Sequence, residues 1–208
     1  MVHAVTAFSR WENLSFYLDN IPDTGVIWHP IFLEDECKKE YEECLNKPWI
    51  QKYTTRKLPI NQNPCKYKLN MFLVEYDIVE QDKYFFMNDD DWFDTSIVQK
   101  IDAMDDDVIF VSMKRGHNSN GGHPSSPLIV SPDVHIGTIG IEQYFLKGKI
   151  MKQVRFRTDF DLSTGYPPHR QGDSDGHLAE MLMKLYPVRY EPDLYVYFNY
   201  LEPGRWRL

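Results

Sequence analysis

Cysteine is scarce: Cys37, Cys44 and Cys65 are the three thiols in 208 residues. Their odd number and spacing suit neither a disulfide framework nor a thiolate metal site, and a reducing compartment is expected. Cys37 and Cys44, seven apart on an expected helix, read as small apolar side chains on one face. No apolar run is long enough to span a bilayer, and Met1-Val2-His3-Ala4-Val5-Thr6 reads straight into a strand rather than a signal peptide. The expectation is a cytoplasmic chain with no membrane span, standing alone or as one domain of a longer protein. Positive charge is also short, since 23 Lys and Arg against 31 Asp and Glu leave a formal net charge of −8. Such a surface repels polyanions, so no nucleic acid polymer is expected as partner, although a local basic pocket still suits one small diphosphate. The seven histidines show no HExxH-like spacing, and there is no EF-hand loop, internal repeat or low-complexity tract.

What remains is a globular composition, 42% hydrophobic and 14% aromatic, which excludes a disordered chain. The length fits one domain that buries a full core without staples. Val2 to Phe8 reads as a strand, and Ser9, three residues before Glu12, suits a capped helix through Leu18. Thr24 to Leu33 supplies a second strand, with Pro30 expected at an edge or bulge. Glu34 to Leu45 reads as a charged amphipathic helix. Lys47 to Lys66, with three prolines, gives a short strand around Gln51–Tyr53 and a long loop. Lys68 to Val79 recovers helical spacing and feeds the strand Lys83 to Asn88. This alternation predicts an α/β fold, a mostly parallel mixed sheet with helices on both faces.

After the strand Val108–Ser112 the pattern turns irregular, and Met113 to Asp133 reads as a long mobile connection. Ile141 to Leu146 has helical spacing, Gln153 to Arg157 alternates as a strand, and Ser174 to Tyr186 forms an amphipathic helix. Arg189-Tyr190 and Leu194–Phe198 read as a final strand pair.

The feature that points to chemistry is Lys83-Tyr-Phe-Phe-Met-Asn-Asp89-Asp90-Asp91-Trp92-Phe93, an apolar strand ending abruptly in three carboxylates. Adjacent anions repel, so a fold that gathers them at a strand's C-terminal end, where open α/β sheets bind ligands, suits a divalent cation there. Asp105-Asp106-Asp107, ahead of a strand, reads instead as an exposed turn.

This arrangement resembles the DxD element of GT-A glycosyltransferases, which transfer a sugar from a nucleotide diphosphate donor. The resemblance implies a single Rossmann-like GT-A domain over 1–208, with a nucleotide-binding half to residue 112 and an acceptor-side half over 113–208. It implies a UDP-sugar donor, a carbohydrate or glycoprotein acceptor, and Asp89, Asp90 and Asp91 at the donor, with Asp89 and Asp91 meeting the metal. Two phosphates beside three carboxylates need an ion with oxygen ligands, Mn²⁺ or Mg²⁺. Along the first strand and turn, Thr6 or Phe8 are candidates to contact the base and Arg10 the diphosphate; a plain surface Arg is the alternative. Asp35 is a candidate for the base or ribose, though an acid at a helix start is favoured with no ligand at all. Lys68 and Asn70 are candidate donor contacts. Gly172-Asp173-Ser174-Asp175-Gly176-His177 resembles the acidic motif that opens the acceptor-side helix. Asp175, or Asp173, is then the base for the acceptor hydroxyl, Asp173 also suiting an N-cap, and His177 is a third metal ligand or a surface residue. The segment Lys114 to His123 is either a loop that folds over the donor or a free surface loop. Among five tryptophans Trp92 is placed to stack on a sugar. The competing readings are a nucleotidylyltransferase, whose Gly-rich signature Ala7-Phe-Ser-Arg-Trp-Glu does not show, and a non-catalytic carbohydrate- or Ca²⁺-binding module.

Overall fold

The computed structural model describes residues 1–36, 42–56, 64–115, 127–133, 139–156 and 173–201. Eight strands form one sheet: β1 (Val2–Ala7), β2 (Ile27–Leu33), β3 (Tyr53–Thr55), β4 (Lys83–Asn88), β5 (Trp92–Phe93), β6 (Val108–Arg115), β7 (Tyr144–Lys147) and β8 (Arg189–Phe198). Their order is β3-β2-β1-β4-β7-β6-β8-β5. The first four run parallel, β7 is antiparallel to both β4 and β6, β8 returns parallel to β6, and β5 pairs antiparallel with β8.

All six residues of β1 are buried, as a parallel strand covered on both faces requires. Because side chains alternate, each inner strand feeds two cores. Val5, Tyr84, Phe86, Val108, Phe110 and Tyr144 face one side, and Ala4, Phe85, Met87, Ile109, Val111 and Phe145 face the other. The first face is covered by α2 (Pro64–Glu75), α4 (Gly148–Met151) and α5 (Asp173–Leu185) through Phe72, Met151 and Leu182. The second is covered by α1 (Leu14–Asn20) and α3 (Thr95–Ala103) through Tyr17 and Ile101. The α/β class with a mixed, mostly parallel sheet and flanking helices is thus as the sequence indicates.

Several local expectations are corrected. Ser9 and Glu12 do not form a capping box; Trp11–Asn13 is a 3-10 turn leading into α1 with no side-chain cap, and Ser9 turns to Asp89 instead. Pro30 lies in the inner strand β2, opposite Thr6 of β1. Trp28 bonds Trp49 and Gln51 on the outer side, and pairing with β3 resumes only at Ile31, so alternation turns the missing Pro30 N–H toward that break. Ile141 to Leu146 is not a helix: a 3-10 turn at Ile141–Gln143 runs into β7. A short strand buried on both faces is apolar throughout, and its run mimics a helical stripe. Gln153 to Arg157 joins no ladder within the described residues. Val154 and Phe156 are buried because Asn70 of α2 clamps the Phe156 backbone, donating to its carbonyl at 2.6 Å and accepting its N–H at 2.7 Å.

β6 runs to Arg115, three residues into the expected loop, and Met113 bridges Leu128. The rest of the Lys114–His123 segment lies outside the described residues, as do residues 37–41 of the helix expected over 34–45, whose described ends are mostly turn. The expected final strand pair is one strand, β8, whose register with β6 jumps at Val111/Ser112 as Glu191 to Tyr195 bulges. Cys44 is exposed rather than on a buried face. Asp105, Asp106 and Asp107 do form a surface turn, paired with Lys147, Arg189 and Lys149. Among the described residues no helix is long and apolar enough to cross a membrane.

Candidate active site

The strand order reverses direction at β1, with β2 on one side and β4 on the other, which opens a crevice beyond the C-terminal ends of these strands. Chain leaves β1 at Phe8-Ser9-Arg10 and β4 at Asp89-Asp90-Asp91, so the acidic triplet sits where a doubly wound sheet holds ligands. All three aspartates are buried.

They do three different things. Asp89 fastens the two sides of the crevice together: its Oδ2 accepts from the Ser9 N–H (2.7 Å), the Ser9 hydroxyl (2.9 Å) and the Arg10 N–H (2.7 Å), and its Oδ1 from Arg10 Nη1 (3.1 Å). Asp90 pairs with the same Arg10 Nη1 at 2.5 Å. Burial works against the Arg10 charge, but Asp90 and Asp89 outweigh it and raise its pKa further. With 48% of its side chain exposed, Arg10 is a cation that this crevice shows to solvent.

Asp91 points inward. Its Oδ2 accepts the Asn88 N–H at 3.0 Å and its Oδ1 the Asn199 N–H at 2.7 Å. Asn199 has φ of 50°, a left-handed conformation that Asn tolerates better than most residues, and this turn after β8 aims its N–H at the carboxylate. Burial and then Asp90 push the Asp91 pKa up to about 6, against the pull of the two N–H bonds. Within reach of Asp91 is Glu142, from the 3-10 turn before β7. Its Oε1 accepts from Asn88 Nδ2, while its buried Oε2 has no hydrogen-bond partner among the described residues. Burial, then the charges of Asp91 and Asp175, hold the Glu142 pKa well above the ordinary carboxylate range. A Cβ at Gly140 would come within 2.4 Å of that same Oε2, so the bare glycine leaves room for this side chain.

On the first covered face, Lys66 of α2 meets Asp175 of α5 at 2.5 Å, with 7% and 13% of their side chains exposed. Tyr144 donates its hydroxyl to the Asp175 carbonyl at 2.5 Å, and Lys66 lies 5.0 Å from the centre of the Phe156 ring. Burial opposes the Lys66 charge, and Asp175 overcomes it, leaving its pKa raised.

The expected residues divide accordingly. Asp89, Asp90, Asp91, Arg10 and Asp175 gather around the crevice. Thr6 and Phe8 have fully enclosed side chains with no surface to offer a base: Thr6 accepts from the Trp28 indole at 2.9 Å, and Phe8 packs edge-on to Trp11, Tyr17, Trp28 and Phe32. Asn70 is occupied by Phe156. Lys68 is buried beneath the end of β1, donating to the Phe8 carbonyl at 2.8 Å and pairing with Glu36 at 2.5 Å. Asp35, the candidate for the base or ribose, is exposed, and it is its neighbour Glu36 that meets Lys68. His177 is exposed on α5, and Asp173 is the first residue of that helix. Trp92 is half-buried, stacked on Phe93 and edge-on to Phe16. Glu142 went unrecognised because its role arises only when β7 inserts beside β4; its local sequence carries no signal.

Among the described residues no three His, Cys, Asp or Glu side chains converge as metal ligands, so Asp89, Asp91 and His177 do not assemble as a set. The donors that do face each other, Asp91 and Glu142, are carboxylates. That chemistry suits Mg²⁺ or Mn²⁺, which commonly take one or two protein carboxylates and complete their shell with water and phosphate oxygens.

No family model and no curated protein matches this sequence. Solved structures do: S. aureus TarS 1-349 superimposes with a TM-score of 0.52 at 15% identity, over 94% of this chain and 59% of that one. The same protein in complex with UDP gives a TM-score of 0.51 at 16% identity, over 95% of this chain and 60% of that one. The chain therefore spans about three fifths of the length of the solved chains it matches, and at these identities the likeness is one of fold.

Proposed function

We propose that this chain is a metal-dependent glycosyltransferase that moves a sugar from a UDP-sugar to a carbohydrate or glycoprotein acceptor. The observation that carries the reading is the buried acidic triplet at the switch point of the sheet, bridged by Asp89 to the β1 turn and capped by the half-exposed Arg10. S. aureus TarS, whose fold this chain resembles, has been crystallised with UDP, which supports the same nucleotide here.

Each residue then has a part. Asp89 keeps the β1 and β4 ends in register, and Arg10, already oriented by two carboxylates, presents guanidinium donors to a diphosphate. Asp91 would hold the cation. A bound Mn²⁺ or Mg²⁺ would supply positive charge against the leaving nucleotide diphosphate. Asp175, fixed by Lys66 and by the Tyr144 hydroxyl on its carbonyl, is the carboxylate for the acceptor hydroxyl proton. Asp173 opens the same helix and is the second candidate for that role.

Donor turnover is the test. Released UDP, measured across UDP-sugars with Mn²⁺, should require the metal and fall at least about a hundredfold in Asp91→Asn, the scale on which loss of a charge-stabilising group slows such reactions. Ca²⁺ binding with no response to any UDP-sugar would instead favour a non-catalytic binding module.

A further inference from the structure

We propose that Glu142 is the second protein ligand of the divalent cation, so that the ion lies between Asp91 and Glu142 rather than between Asp89 and Asp91. The argument begins with what Asp89 already does. Three donors converge on its Oδ2 and Arg10 Nη1 on its Oδ1, so both oxygens are committed to holding the β1 turn. Glu142 is the converse case. It is 3% exposed, and among the described residues only Oε1 has a donor, Oε2 being buried with nothing to accept from.

What that carboxylate meets is another acceptor, Asp91, whose own N–H partners come from Asn88 and Asn199. Two buried carboxyl groups facing each other can share one proton, but once both are ionised they need a cation between them. The surroundings keep them there. Asn88 holds Glu142 through its side chain and Asp91 through its backbone N–H, and Gly140 leaves the space that Oε2 fills. Lys66, the nearby buried cation, is engaged with Asp175. A hard divalent ion satisfies both carboxylates and leaves its remaining positions for water and phosphate oxygens.

This inference takes the identity of the ion from the glycosyltransferase reading, but the site itself is testable without nucleotide. Mn²⁺ binding followed by electron paramagnetic resonance, on the whole chain with and without UDP, compares the wild type with Glu142→Gln and His177→Ala. Glu142→Gln is expected to weaken Mn²⁺ roughly tenfold to a hundredfold, and His177→Ala to leave it within about twofold. If thermal melting shows Glu142→Gln unfolded, Glu142→Asp, which keeps the charge but draws the carboxylate back by one methylene, takes its place with the same expected loss. Mn²⁺ affinity equal to wild type in the substituted protein, or no Mn²⁺ binding by the wild type, would overturn the proposal. Mn²⁺ bound by the wild type and lost in Glu142→Gln, with no response to UDP in either, would uphold the cation pair while removing the nucleotide-sugar reading.

Discussion

Asp91 and Glu142 place two buried acids within reach of one another, and the sign of the resulting pH dependence follows directly. Asp91 is pushed up to about 6, against 3.8 for an ordinary aspartate, so between these values the native state holds the proton more tightly than the unfolded chain. Stability without metal therefore falls as pH rises through this window, and the loss is fully present above pH ~6. Glu142→Gln replaces a carboxyl group that must bind a proton to donate with a permanent donor. At pH 7.5 without metal it should raise unfolding stability by about 1–3 kcal/mol in urea titrations; a loss of stability would mean that the two carboxylates do not oppose each other. Lys66→Met tests the other pair. Leaving Asp175 buried without its cation should cost about 3 kcal/mol or more by the same measurement, since both side chains are largely enclosed.

Among the elements, the long-range clamps carry the clearest consequences. Asn70 of α2 stands in for a missing strand partner of Phe156, so Asn70→Ala should cost about 1–3 kcal/mol and accelerate hydrogen exchange at the Phe156 amide. Unchanged exchange there would show that the amide clamp is not formed. At the N-terminal end of the sheet, His3 of β1 bonds His29 of β2 at 2.8 Å and Asp82, just before β4, at 3.0 Å. Burial, then the neighbouring His3, hold His29 down at about 3. Its neutral form is the native one, so stability contributed above pH 6.5 is lost progressively as pH falls through 6.5 toward 3, opposite in sign to Asp91. The two partly cancel between about pH 4 and 6, and variants separate them. His29→Gln should lose less stability than the wild type on acidification; parallel melting curves would contradict this. The same elements show what was legible in the sequence. β4 and the triplet were readable because an apolar run broken by three acids is a local event. β7 was not, since a strand buried on both faces carries no alternation, and Val154–Phe156 alternates without belonging to any ladder. Glu142 and Glu36 gain their places through contacts made across the fold, which no window of sequence contains.

At the level of the whole molecule, the sheet order β3-β2-β1-β4 fixes where a ligand can sit, and the likeness to S. aureus TarS agrees with that layout. An acidic chain with a net charge of −8 still gathers anions at this crevice, and Arg10 is an exposed cation beside them. Such a site has little means of holding a diphosphate by itself, because the buried carboxylates repel it unless a cation intervenes. Isothermal titration of the folded wild-type chain with UDP, in Mn²⁺ and in chelator, decides the matter most directly. Binding in Mn²⁺ that disappears in chelator is the expected result. UDP bound equally well in chelator, or not bound at all in saturating Mn²⁺, would contradict a metal-dependent nucleotide site at the end of β4.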